Sequence, residues 1–208
     1  VFLCALWLSA APRLSEFGGL ELPGSSWLVT FINNNWVAFS YDGHWRDKVF
    51  QREKSGETDT AAFRVTIPGL PEGKLRLALE PEGEASYRYR AEVAFSEPAQ
   101  LASLSLETRL PVDKYAGVEL KINGQAFALP REKKPGMLVQ RRASELEIPA
   151  GEGTVSLRGD FELHIQDNRT YNLPTYTIRI RMTPGYGKIT NATLDLTLQC
   201  RAGEDVPL

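Results

Sequence analysis

Apolar side chains recur at every second position in run after run along the chain. Leu75, Leu77 and Leu79 form one run, Tyr87, Tyr89, Ala91, Val93 and Phe95 a second, and Val118, Leu120 and Ile122 a third. The C-terminal half repeats the pattern at Phe161, Leu163 and Ile165, at Tyr176, Ile178, Ile180 and Met182, and at Ala192, Leu194, Leu196, Leu198 and Cys200. Polar residues such as Glu162, His164, Arg179, Arg181 and Asp195 occupy the alternate positions. A period of two sends successive side chains to opposite faces of a strand. Each run therefore predicts a strand with one apolar and one wet face, as in antiparallel sheets packed on one side.

Turn chemistry separates the runs. Asn123-Gly124, between Val118–Ile122 and Gln125–Leu129, predicts a two-residue hairpin because both residues tolerate positive φ. Pro68–Gly73, Pro81–Gly83 and Gly151–Gly153 mark further turns. Apolar residues at three-and-four spacing are scarce, and only Met137–Leu146 reads as one or two turns of helix. Two charge-rich segments, Tyr41–Thr60 and Pro130–Ala143, fit no strand and are expected to be loops leaving the scaffold. The whole predicts an all-β fold with minimal helix: an antiparallel two-sheet β-sandwich, jelly-roll or galactose-binding-like, formed as a single domain over residues 12–200. Residues 201–208 read as a tail or the start of a linker, and a division near Pro81–Glu84 is the alternative.

Composition narrows the chemistry. The 208 residues carry 24 Lys+Arg against 26 Asp+Glu, a net charge of -2 that argues against a nucleic-acid partner. Two His and two Cys are too few for a dedicated metal cage, so neither a metal nor a cofactor is expected. Val1–Leu8 is uncharged and apolar, short of the roughly 20 residues that span a membrane but suited to the core of a signal peptide. Ser9-Ala10-Ala11 suits cleavage after Ala11. Residues 1–11 are thus expected to be a signal-peptide remnant, and the chain to be exported, as a secreted, periplasmic or cell-surface protein without a membrane span once mature. A first core strand is the other reading of the same residues. Cleavage there would leave Cys200 as a single buried thiol.

Two clusters mix aromatic rings with polar groups. Asn34, Trp36, Tyr41, Asp42, His44 and Trp45 flank one short run, with Asp42-Gly43 suited to a tight hairpin. Asp167, Asn168, Arg169 and Tyr171 follow the strand that ends near His164. Sugars present CH faces to rings and hydroxyls to amides, carboxylates and guanidinium groups, so both clusters are candidate saccharide sites. Each also has a plainer account: Trp36 as one position of a strand, Trp27 and Trp45 as core, Asp167 and Asn168 as turn residues bonding their own backbone. Asn168-Arg169-Thr170 and Asn191-Ala192-Thr193 match the N-glycosylation sequon. Arg88 and Arg90 share a strand face, as do Arg179 and Arg181. On neighbouring strands, the four would line one surface able to read sulfate or carboxylate; the plainer account is a soluble outer face whose arginines pair with Glu92 or Glu162 across strands. The glutamates fall mainly in turns or on alternating wet faces, and no catalytic residue is assigned.

The run Tyr87–Leu198 carries Leu104-Ser105-Leu106-Glu107-Thr108-Arg109-Leu110-Pro111, Lys121-Ile122-Asn123-Gly124-Gln125 and Phe161–Arg169. It resembles the accessory, non-catalytic β-sandwich placed before the catalytic barrel in secreted bacterial glycoside hydrolases. The resemblance implies a module that binds oligo- or polysaccharide or supports a catalytic domain in the same full-length chain, and it transfers no functional residue. A small sandwich glycosidase or polysaccharide lyase is the first alternative. It requires two carboxylates, or a Tyr, His and Arg set, converging in one cleft. A structural or adhesive surface module is the second, favoured if Trp27, Trp36 and Trp45 are all buried.

Overall fold

A computed structural model describes residues 11–15, 18–41, 50–151, 153–183 and 185–201, with the side chains of 41 and 50 outside the description. Every alternating run forms a strand, and most of its apolar members are buried. In chain order the strands are β1 (Arg13–Leu14), β2 (Leu20–Leu22), β3 (Ser25–Ile32), β4 (Ala38–Tyr41), β5 (Phe50–Ser55), β6 (Thr58–Val65), β7 (Gly73–Gly83) and β8 (Ser86–Leu101). There follow β9 (Ser103–Pro111), β10 (Glu119–Ile122), β11 (Gln125–Ala128), β12 (Met137–Ala150), β13 (Gly153–Asp167), β14 (Thr175–Arg181) and β15 (Gly187–Arg201). Among the described residues helix is confined to α1 (Val112–Tyr115) and a 3-10 turn at Asn168–Tyr171.

The fold is all-β, and every pairing among the described residues is antiparallel. Hydrogen bonds join the strands in one curled path, β1-β2-β3-β9-β14-β13-β15-β8-β7-β6-β5, from which β4 branches at β3 and the β10–β12 group at β13. The path forks along β13. Its first half, Thr154–Arg158, pairs with β15, and its second half, Glu162–Asp167, pairs with β14. Gly159 lies at the fork, where a Cβ would stand 2.8 Å from the Asp195 carbonyl oxygen, so only glycine lets β15 pass so close.

The curl folds the two arms onto each other. Phe31 of β3 packs edge-to-face on Phe95 of β8, five strands along the path, with ring centroids 6.1 Å apart. One continuous core results, running from Leu14 through Phe63 and Leu106 to Cys200. The two ends of the path also meet. The Arg52 guanidinium on β5 donates to the carbonyls of Leu14 (2.9 Å) and Ser15 (2.7 Å) at β1 while gripping Asp59 of β6.

Three expectations from the sequence are corrected. Met137–Leu146 is strand, not helix. Arg141 is exposed, and the register shift at Ala143/Glu145 changes which face is buried, so its buried positions, Val139, Ala143 and Leu146, fall four and three apart and imitate a helical stripe. The two charged excursions are only partly loop, since residues 50–60 form most of an edge hairpin and residues 137–143 belong to β12. Arg88 and Arg90 do not lie beside Arg179 and Arg181: β13 and β15 separate β14 from β8, and Arg88 and Arg90 pair with Asp195 and Glu92. Of the expected leader, residues 1–11, residues 1–10 lie outside the described residues. Among the described residues no helix is long and apolar enough to cross a membrane.

Candidate functional site

The wet faces of β9, β14 and β13 form a lattice. Arg181 stands between Ser105 and Glu162, Arg179 between Glu107 and His164, and Thr177 between Arg109 and Gln166. Directly opposed antiparallel residues hold their Cβ atoms about 5 Å apart, so these side chains interlock. Arg179 donates to Glu107 at 2.8 Å and to Gln166 at 2.6 Å, and Arg109 reaches the other Glu107 oxygen at 3.2 Å. His164 bonds Glu162 through Nε2 at 2.6 Å. The alternation predicted a wet outer face. The centre of this polar face is nonetheless largely enclosed: Glu107, His164 and Thr177 are buried.

A groove of about 610 Å³ opens over the lattice. Arg109, His164, Gln166, Arg179 and Arg181 border its polar side, and Trp36, Met137, Tyr171 and Leu173 its apolar side. Among the described residues six large apolar side chains are exposed, and four of them are these last. Trp36 is 75% exposed and Tyr171 60%.

Trp36 reaches the groove from the β3–β4 turn. Asn33 organises that turn: its Oδ1 accepts the Asn35 and Val37 N–H groups at 3.0 and 3.1 Å, and its carbonyl accepts the Trp36 N–H at 3.0 Å. Trp36 itself is held at φ 61°. A bulky residue in the left-handed region carries strain, and here nothing in the core benefits from it.

Of the sequence candidates, the groove therefore joins Trp36 from one cluster with Asn168 and Tyr171 from the other. Asn34 is exposed in the same turn as Trp36. Tyr41 ends β4, and Asp42, His44 and Trp45 lie outside the described residues. Trp27 is core, its Nε1 donating to Ser25 Oγ at 2.9 Å. Asp167 and Arg169 are committed to the chain itself. The buried Asp167 carboxylate accepts from Arg169 and from the Lys134 N–H at 2.9 Å, while the Arg169 guanidinium donates to the carbonyls of Pro130, Arg131 and Glu132. Together they lash the 130–136 loop to the end of β13. Asn168 gives its amide to Thr175 and Thr177.

The sequence reading missed Arg109, Gln166, Met137 and Leu173 as groove residues. Arg109, Gln166 and Arg179 carried a signal, since all three occupy wet positions of strands whose apolar positions are filled. What the sequence lacked was the strand order. Comparison of the chain with known protein families and with curated protein sequences finds no match.

Proposed function

We propose that the chain is a non-catalytic, carbohydrate-binding or accessory module of an exported glycan-degrading protein, with the groove as its saccharide site. In this reading the two arms of the curled sheet act as the layers of a β-sandwich, and a catalytic domain elsewhere in the same full-length chain is its partner. The observation that carries the reading is the groove's division. Exposed Trp36 and Tyr171 offer flat apolar faces for sugar CH groups, and Gln166, Arg109 and Arg179 offer hydrogen bonds to hydroxyls. Burial of all three sandwich tryptophans would have favoured a purely structural module, and Trp36 is exposed. The two acids nearest the groove are already engaged, Glu107 by two arginines and Glu162 by His164, which favours binding over acid–base hydrolysis.

A glycan array followed by titration of the best hit tests the proposal. W36A and Y171A are expected to weaken binding by about 1–2 kcal/mol each, roughly tenfold, with the folded state intact. No binding to any glycan would overturn it. A polysaccharide lyase is the second reading, favoured by the convergence of Tyr171, His164 and the arginines on one groove. Ultraviolet absorbance of an unsaturated product, followed on uronate polymers, decides it: a steady rise establishes the lyase, and a flat trace removes it.

A further inference from the structure

Among the described residues, three guanidinium groups border the groove, and only one of them is in no ion pair. Arg109 and Arg179 share Glu107. Arg181 makes no ion pair with a described residue. It donates to the Thr183 carbonyl at 3.1 Å and lies 3.5 Å from the Ala102 carbonyl. With Glu162 bound to His164, the groove's three arginines face two glutamates, leaving one positive charge in excess. Burial pulls the Arg181 guanidinium below its ordinary range; Glu162 opposes this and Arg179 adds to it.

A second observation falls at the same corner. Among the described residues, three buried side-chain hydroxyls, Ser103, Ser105 and Thr183, have no hydrogen-bond partner. Ser105 stands directly opposite Arg181, Thr183 follows it by two residues, and Ser103 adjoins Ala102. Ser103 borders the groove, and Thr183 borders the hollow that continues it past Arg181. A buried hydroxyl without a partner is costly, and an unpaired half-buried cation is more so. An oxyanion at this corner would answer both needs, taking the guanidinium fork and accepting from a hydroxyl that turns toward it.

We infer that the Arg181 corner is a subsite for an oxyanion carried on a saccharide, either a uronate carboxylate or a sulfate ester. The inference rests on the carbohydrate reading and specifies its ligand class as acidic glycans. Two matched pairs test it and separate the sources: oligogalacturonate against its methyl ester, and dextran sulfate against dextran. The anionic member of at least one pair is expected to bind at least about tenfold more tightly. R181Q should abolish that preference while leaving any neutral binding in place, and R88Q, remote and already paired, should keep it. Should R181Q fail to fold, R181K, which keeps the charge without the fork, is expected to lower affinity for the anionic member alone. Equal binding within both pairs, or a preference that survives R181Q, overturns the subsite and leaves the carbohydrate reading standing. Absence of binding by either pair and by the array overturns both.

Discussion

Asp167 is a carboxylate sealed from solvent at the point where β13 gives way to the 3-10 turn. Burial alone would raise its pKa, but hydrogen bonds from Arg169 and from the Lys134 and Arg169 N–H groups outweigh this and hold it below the ordinary range. The folded pKa is thus below the unfolded value of about 3.9, so its stabilisation is complete above about pH 4 and lost as pH falls through the folded pKa. Urea melts across that interval should show the loss in the wild type and not in D167A. At neutral pH, D167A should cost about 3–5 kcal/mol, since it leaves the Arg169 cation against the 130–136 loop without its partner. Trp36 makes the opposite case. W36G relieves the left-handed backbone at a cost in unfolded-chain entropy of similar size, so its melting temperature should hold or rise while saccharide binding falls. A loss of stability would assign Trp36 to the fold. Much at this scale was legible: Asp167 does start a turn by accepting the Arg169 N–H. The clamp across to 130–132 was not legible, because nothing local relates residues almost 40 positions apart.

Among the elements, β12 shows how a strand hides. At its second register shift the free N–H groups are met from outside, by the Asn123 side chain of the β10–β11 turn, whose Oδ1 accepts those of Ser144 and Glu145 at 2.9 and 3.1 Å. Asn123-Gly124 was readable as a hairpin, and both residues have positive φ. That the same asparagine also serves the register shift on the neighbouring strand, β12, follows only from the register. The forked strand β13 read simply as a strand, since alternation says which side chains point inward and not which neighbour lies on each edge. Gly159 tests the fork. G159V drives carbon atoms into the Asp195 carbonyl and Leu196, and should lower stability by about 1–3 kcal/mol in chemical denaturation. Unchanged stability would mean that β15 can withdraw from β13 freely.

For the whole molecule, the segments that border each wet face decide what that face becomes. The polar residues of β8 remain an outer surface, and those of β9, β13 and β14 enclose a groove, although both sets have the same sequence pattern. Period-two alternation says neither which strands adjoin nor what borders them, which explains why the strands were legible and the site was not. The Arg52 seam holds the ends of the path together. R52A should raise hydrogen exchange in β1 and β6 and lower stability by about 1–3 kcal/mol, with protection in β9 and β14 retained. Uniform loss of protection would show instead that the ends are not a separable unit. The seam joins residues fewer than 40 positions apart, but β8 finds β15 across a separation of 107. During synthesis at roughly 5–20 residues per second, the β8 edge would therefore wait about 5–20 seconds for its neighbour. Arg88, Arg90 and Glu92, spaced along its outer face, make that waiting edge a poor template for a second nascent chain.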